Sequence, residues 1–136
     1  MQTLALPQPS PLPVPARWTG RVLTGLVVLF LLFDGIIKVL DLEVVRTTSE
    51  QLGLPLQHTL TLGVITLAIA VLYAVPRTAV LGAILLTALL GGAIATHLRA
   101  GSPVFSHLLF GVYVGVIAWG GLVLRDQRLR VLLLGR

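Results

Sequence analysis

Four long apolar runs, separated by proline-marked breaks, take up most of this chain. They cover residues 18–40, 58–75, 78–96 and 106–124. Each is close to the ~20 residues that cross a ~30 Å hydrocarbon layer at 1.5 Å per residue. Pro55, Pro76 and Pro103 stand in the three connections, where a helix-start proline belongs. A bilayer core tolerates only backbone that satisfies its own hydrogen bonds, so a span is a helix or part of a closed barrel. These lengths suit helices. The expected fold is therefore all-α: a four-transmembrane-helix bundle, integral to the membrane. The connection around Pro76 and Arg77 is so short that the second and third helices must form an antiparallel hairpin.

Composition agrees. The chain has 136 residues, of which 56% are hydrophobic and 11% charged, against ~25% charged in a soluble domain. The net charge of +5 has no basic stripe interleaved with exposed aromatics, so nucleic acid is not the expected partner. The lipid bilayer is. With four spans both termini share one side, which holds Arg17, Arg21, Arg77, Arg125, Arg128, Arg130 and Arg136. The other side has only Lys38, Arg46 and Arg99, offset by Asp34, Asp41, Glu43 and Glu50. The positive-inside rule places both termini in the cytoplasm, and a bacterial cytoplasmic (inner) membrane is the expected location. Trp18, Tyr73 and Trp119 fit an aromatic belt on that side.

Three regions follow. Residues 1–16 are a proline-rich arm in which Pro7, Pro9, Pro11, Pro13 and Pro15 favour extended polyproline II over helix. It lacks the basic start, apolar centre and small-residue cleavage site of a secretory signal, so a disordered cytoplasmic tail is expected. Residues 17–125 form the bundle. Residues 126–136 mix arginine with leucine and read as a basic amphipathic tail on the inner leaflet. The longest loop, 41–57, is expected outside, with Thr47, Thr48 and Ser49 as helix caps and a stop at Gly53. It would lie over the bundle mouth. Small residues recur at close-packing spacing: Gly111 with Gly115, Ala79 with Ala83, Ala88 with Gly92. They imply packing within the bundle, with a homo-oligomer as the lesser option.

Ionisable groups inside hydrocarbon are costly and tend to mark a site. His58 and His97 lie 19 and 20 residues from Arg77, and His107 lies 18 from Arg125. All three histidines thus fall about 27–30 Å from the arginine boundary. On the same rise Lys38 lies about 25 Å and Asp34 about 20 Å from it. Asp34 and Lys38 are i and i+4 in the favoured order. The pair either satisfies itself and sets how the first helix packs, or forms the floor of a ligand pocket. Each histidine alone could be an interface contact. Three at one level on three helices could instead bind a metal through imidazole and carboxylate, or exchange protons with a quinone-like ligand. Tyr113, about two turns below His107, is a further pocket candidate. Arg99 could pair with Glu50 or Asp41, or simply mark the interface. Thr61, Thr66 and Thr87 are expected to bond their own helix backbone. There is no cysteine, which removes thiolate, disulfide and iron–sulfur chemistry. No phosphate loop or Ser-His-Asp order is present.

Residues 73–99, YAVPRTAVLGAILLTALLGGAIATHLR, carry a Pro-Arg hairpin, an LGAILLT run and a Gly-Gly-Ala-x-Ala-Thr-His end. Gly35-Ile-Ile-Lys38, Leu52-Gly53-Leu54-Pro55, Trp119-Gly120-Gly121-Leu122 and Leu124-Arg125-Asp126 extend the pattern. Over residues 18–134 the chain resembles the DoxX-like family of small four-helix membrane proteins. The resemblance adds weight to Lys38, His97 and Arg99, with Asp34 beside them. Relatives are linked to thiosulfate:quinone oxidoreduction and to thiol and oxidative-stress systems, and others look like assembly factors. The absence of cysteine sits badly with a thiol role. The expected function is binding of a hydrophobic or redox-active small molecule, a quinone being one candidate, in a polar pocket near the outer face, with a redox protein as a possible partner. If the chain is enzymatic, it would be a quinone-linked oxidoreductase subunit. The ligand set would be Asp34, Lys38, His58, His97, Arg99, His107 and Tyr113, with the three histidines as the metal option. A scaffold or assembly factor is the alternative, and a transporter a weaker one.

Overall fold

The computed structural model describes residues 11–135. Most of the expected arm, residues 1–10, lies outside that range, as does Arg136. Helix α1, Val14–Val39, begins inside the proline run rather than after it. Pro15 sits in its first turn, where a missing N–H costs nothing and the fixed φ is already helical. Then come α2 (Glu43–Leu52), α3 (Gln57–Ala74), α4 (Ala79–Ala100), a π-helical turn (Val104–Leu108), α5 (Phe110–Arg125) and α6 (Gln127–Leu134). Four stretches are long and apolar enough to cross a membrane: α1, α3, α4 and the π turn with α5. The protein is a multi-pass membrane protein.

The bundle is apolar outside as well as in its core. Leu29, Phe33, Leu60, Val64, Leu81, Ile84 and Val116 face outward, where lipid is the solvent. Thr24, Thr59 and Thr66 are buried, as are Gly20, Gly35, Gly63, Gly82, Gly111 and Gly121. Hydrocarbon offers no hydrophobic drive to bring helices together, so close backbone approach through small residues has to do it.

The helices form a ring in the order α1, α3, α4, α5, with α1 and α4 on a diagonal. Each contact is set by glycine. α1 crosses α3 at Gly35 and Gly63: a Cβ on Gly63 would lie 2.9 Å from the Cβ of Lys38. α1 meets α5 where a Cβ on Gly20 would lie 2.8 Å from the Cβ of Leu124. Gly111 of α5 faces Ile94 of α4 at 3.0 Å, so that GxxxG element is used inside the bundle. Ala79 and Ala83 are buried as expected. Ala88 and Gly92 are not: both are exposed, and a Cβ on Gly92 would meet nothing within 4 Å.

Tyr73 does not join an interfacial belt. It is fully buried, and its hydroxyl donates to the Ala118 carbonyl at 2.6 Å. The Arg125 guanidinium stacks over its ring at 5.1 Å and donates to the Tyr73 carbonyl at 2.7 Å. Trp119 donates from Nε1 to Thr87 Oγ1 at 2.8 Å. Thr66 and Thr87 bond the carbonyls of Leu62 and Ala83 on their own helices. The tail is a short helix capped by Asp126, which accepts from the Arg128 and Leu129 N–H groups. Leu129 is buried against the bundle while Leu132 is exposed.

Candidate functional site

At the end of the bundle opposite Arg21 and Arg125, α1 carries Asp34 and Lys38 as an ion pair. Their side chains are 28% and 26% exposed. Asp34 lies one turn beyond Phe30, whose ring meets Phe110 of α5 at 5.3 Å. Lys38 sits at the glycine crossing with α3. The pair therefore occupies the side of α1 that looks between α3 and α5. Pairing lowers the cost of holding either charge in an apolar helix.

Helix α1 ends in a turn at Asp41, which holds φ 55°, a conformation that aspartate tolerates better than most residues. Asp41 accepts from Arg46 Nη2 at 2.5 Å, and this hydrogen bond holds its carboxyl below the ordinary carboxylate range. Arg99 thus does not pair with Asp41 or Glu50. It donates to the Leu52 carbonyl at 2.7 Å, beside Gly53, the left-handed C-cap of α2 at φ 69°. Thr47 and Thr48 are not caps either, because their hydroxyls bond back to the Glu43 and Val44 carbonyls inside α2. Val45 and Ser49 are the buried residues of α2, and Ser49 Oγ lies 3.4 Å from Thr59 Oγ1 of α3. So α2 is pinned across the ends of α3 and α4.

The histidines divide. His97 and His107 meet, with ring centroids 5.8 Å apart and planes at 66°. Gly101, with φ 70°, stops α4, and Pro103 starts the π turn. Leu108 N–H bonds the Pro103 carbonyl and Leu109 N–H that of Val104. Such wider turns recur at functional sites, and this one brings His107 to the end of α4. His97 Nδ1 lies 3.0 Å from Ser102 Oγ, and His107 Nδ1 lies 2.7 Å from Ser106 Oγ. Each ring is thus oriented through Nδ1, with Nε2 left for another partner. Nothing in the sequence reading marked Ser102 and Ser106. The sole signal was their position beside the Gly-x-Pro break.

His58 stands apart. It is exposed in the first turn of α3. Among the described residues no three His, Cys, Asp or Glu side chains gather closely enough to hold a metal. The expected three-imidazole shell is not assembled: only the His97 and His107 rings meet, and His58 stays exposed. Tyr113 is 47% exposed, so it faces out of the bundle and not into a pocket. No hydrogen bond or ion pair joins Asp34 or Lys38 to a histidine among the described residues.

The profile of a family described as the DoxX-like family matches residues 22–121. Comparison with curated proteins and with solved structures gave no match.

Proposed function

This chain belongs to the DoxX-like family, and from that premise we propose that it binds a hydrophobic, redox-active small molecule of the quinone class at its histidine end. It would do so in a bacterial cytoplasmic membrane, with both termini in the cytoplasm, as an accessory to a membrane redox or stress system. The observation that carries the reading is the meeting of His97 with His107, each ring held by a serine. Quinone reduction consumes two electrons and two protons. The electrons come from a partner redox protein, and the imidazole Nε2 atoms pass the protons. The Asp34–Lys38 pair offers a charged donor to a quinone oxygen. Arg99 acts indirectly, by fixing α2. His58 and Tyr113 drop out of the ligand set, and the metal option with them.

The test is mass spectrometry of lipid extracts from the full chain purified in mild detergent. Wild type should carry quinone at close to one per chain. Asp34→Asn and His97→Ala should each lower it several-fold, without lowering the thermal midpoint of the folded protein in step. A wild-type preparation that carries no quinone, and whose midpoint does not move when quinone is added, ends this reading. One observation favours the scaffold alternative instead: Ala88 and Gly92 leave an open, small-residue path on the outside of α4 that another helix could occupy. Gly92→Leu should break a larger assembly if that is the function, and leave quinone content unchanged if it is not.

A further inference from the structure

Two cavities lie side by side at the arginine end and share Arg21 and Arg125 as a common wall. The larger, about 600 Å³, also has Asp126, Gln127 and Arg128 in its lining. The smaller, about 370 Å³, runs from the same arginines along Gly25, Val28 and Leu29 of α1. One is cationic and lies where α1 begins and α5 exits, which is the headgroup level of a spanning helix. The other is apolar and runs inward along the span. We infer that together they hold an anionic phospholipid, with its phosphate among Arg21, Arg125 and Arg128 and an acyl chain along the Gly25–Leu29 groove. The assignment stands independently of the histidine end.

Charge supports it. The ion pairs of Lys38 with Asp34 and of Arg46 with Asp41 are both at the other end. None of Arg21, Arg125 and Arg128 forms one. Asp126, the nearby carboxylate, is turned to cap α6 through the Arg128 and Leu129 N–H groups, at 2.9 and 3.3 Å. Three guanidinium groups thus line one cavity with no counter-charge committed to them. The planar guanidinium fork suits phosphate oxygens. Arg125 is held in place by Tyr73, yet it makes only that one hydrogen bond. Its Nε is buried without an acceptor, so the group keeps donor capacity. Arg21 is steadied over the Trp18 ring at 5.5 Å.

Shape supports it as well. Topology alone requires arginine near this end, but not a cationic cavity that continues into an apolar one. Gly25 makes the continuation possible, since a Cβ there would meet nothing within 4 Å. A free phosphate would need the first cavity and leave the second without a purpose.

The experiment is native mass spectrometry of the full chain in neutral detergent, titrated with phosphatidylglycerol or phosphatidylcholine of equal chain length. Phosphatidylglycerol should bind about tenfold more tightly or better, since each arginine near an anionic headgroup adds appreciably to binding. The double variant Arg21→Gln with Arg128→Gln should erase that preference, and Arg125, which helps hold the fold, is left alone. Gly25→Leu places its Cβ in open space and should weaken phosphatidylglycerol several-fold, with an unchanged thermal midpoint as the control on folding. Equal affinity for the two lipids overturns the inference, and so does a preference that survives the double variant. If Gly25→Leu binds phosphatidylglycerol as wild type does, while inorganic phosphate displaces it, the ligand is free phosphate and the lipid assignment is lost.

Discussion

Gly82→Ala should abolish the α3–α4 hairpin, and with it most of the folded protein. A Cβ at Gly82 would lie 2.4 Å from the Tyr73 nitrogen and 2.6 Å from its Cα. These are backbone atoms at the C-terminal end of α3, a few residues from the turn at Pro76, so no rotamer change relieves the overlap. Overpacking in a core costs ~1–3 kcal/mol where side chains can shift. Here two helix backbones must move apart, and the cost should be at or above the top of that range. Separation would also disturb the Tyr73 contacts with Ala118 and Arg125. The control is Gly92→Ala on the same helix. Nothing lies within 4 Å of its Cβ, and alanine is the better helix former by roughly 1 kcal/mol. Monodisperse yield and the thermal midpoint in detergent should collapse for Gly82→Ala and hold or rise for Gly92→Ala. Matching midpoints for the two would mean that α3 and α4 are not joined at this close contact.

That pair of glycines also shows where the sequence stops being informative. The spans were legible because length and hydropathy are one-dimensional signals: 58–75 was expected against Gln57–Ala74 observed, and 78–96 against Ala79–Ala100. Rotation about each helix was not. A soluble helix announces its buried face by an apolar stripe, but a span packed among lipid is apolar all round. Ala79 with Ala83 and Ala88 with Gly92 share the same spacing on one helix, yet the first pair is buried and the second is open. Tyr113 and His58 fell on outward faces for the same reason. His97 and His107 do meet, but their meeting depends on an extra residue in the π turn, for which the Gly-Ser-Pro break at 101–103 is a weak sign. Tyr73 read as an interfacial aromatic because it stands near the hairpin. Its burial follows from the Gly82 approach, which no local pattern displays. The arginines were read as a topology signal, and their shared cavity needed the helices in place before it existed.

Tyr73→Ala should cause the largest loss of any side-chain truncation in the bundle. Tyr73 heads the fully buried side chains by volume and has 0% exposure. Truncating a buried large aromatic costs ~3–5 kcal/mol, because the surroundings collapse only in part. Lipid does not remove the penalty, since what is lost is contact with α4 and α5 rather than transfer out of water. The hydroxyl is a separate and smaller contribution. Tyr73→Phe keeps the ring beneath Arg125 and removes only the bond to the Ala118 carbonyl, a net loss of ~0.5–1.5 kcal/mol. The midpoints should therefore rank wild type, then Tyr73→Phe close below, then Tyr73→Ala far lower. The two variants should separate at the arginine end as well. Arg125 is held by the Tyr73 ring and by its carbonyl, so Tyr73→Phe leaves it in place and should keep the preference for anionic lipid, whereas Tyr73→Ala removes the stacking surface and should lose that preference along with stability. A Tyr73→Ala protein within ~1 kcal/mol of wild type would place the ring outside the core, and its reach from α3 across the bundle to Ala118 of α5 would have to be redrawn.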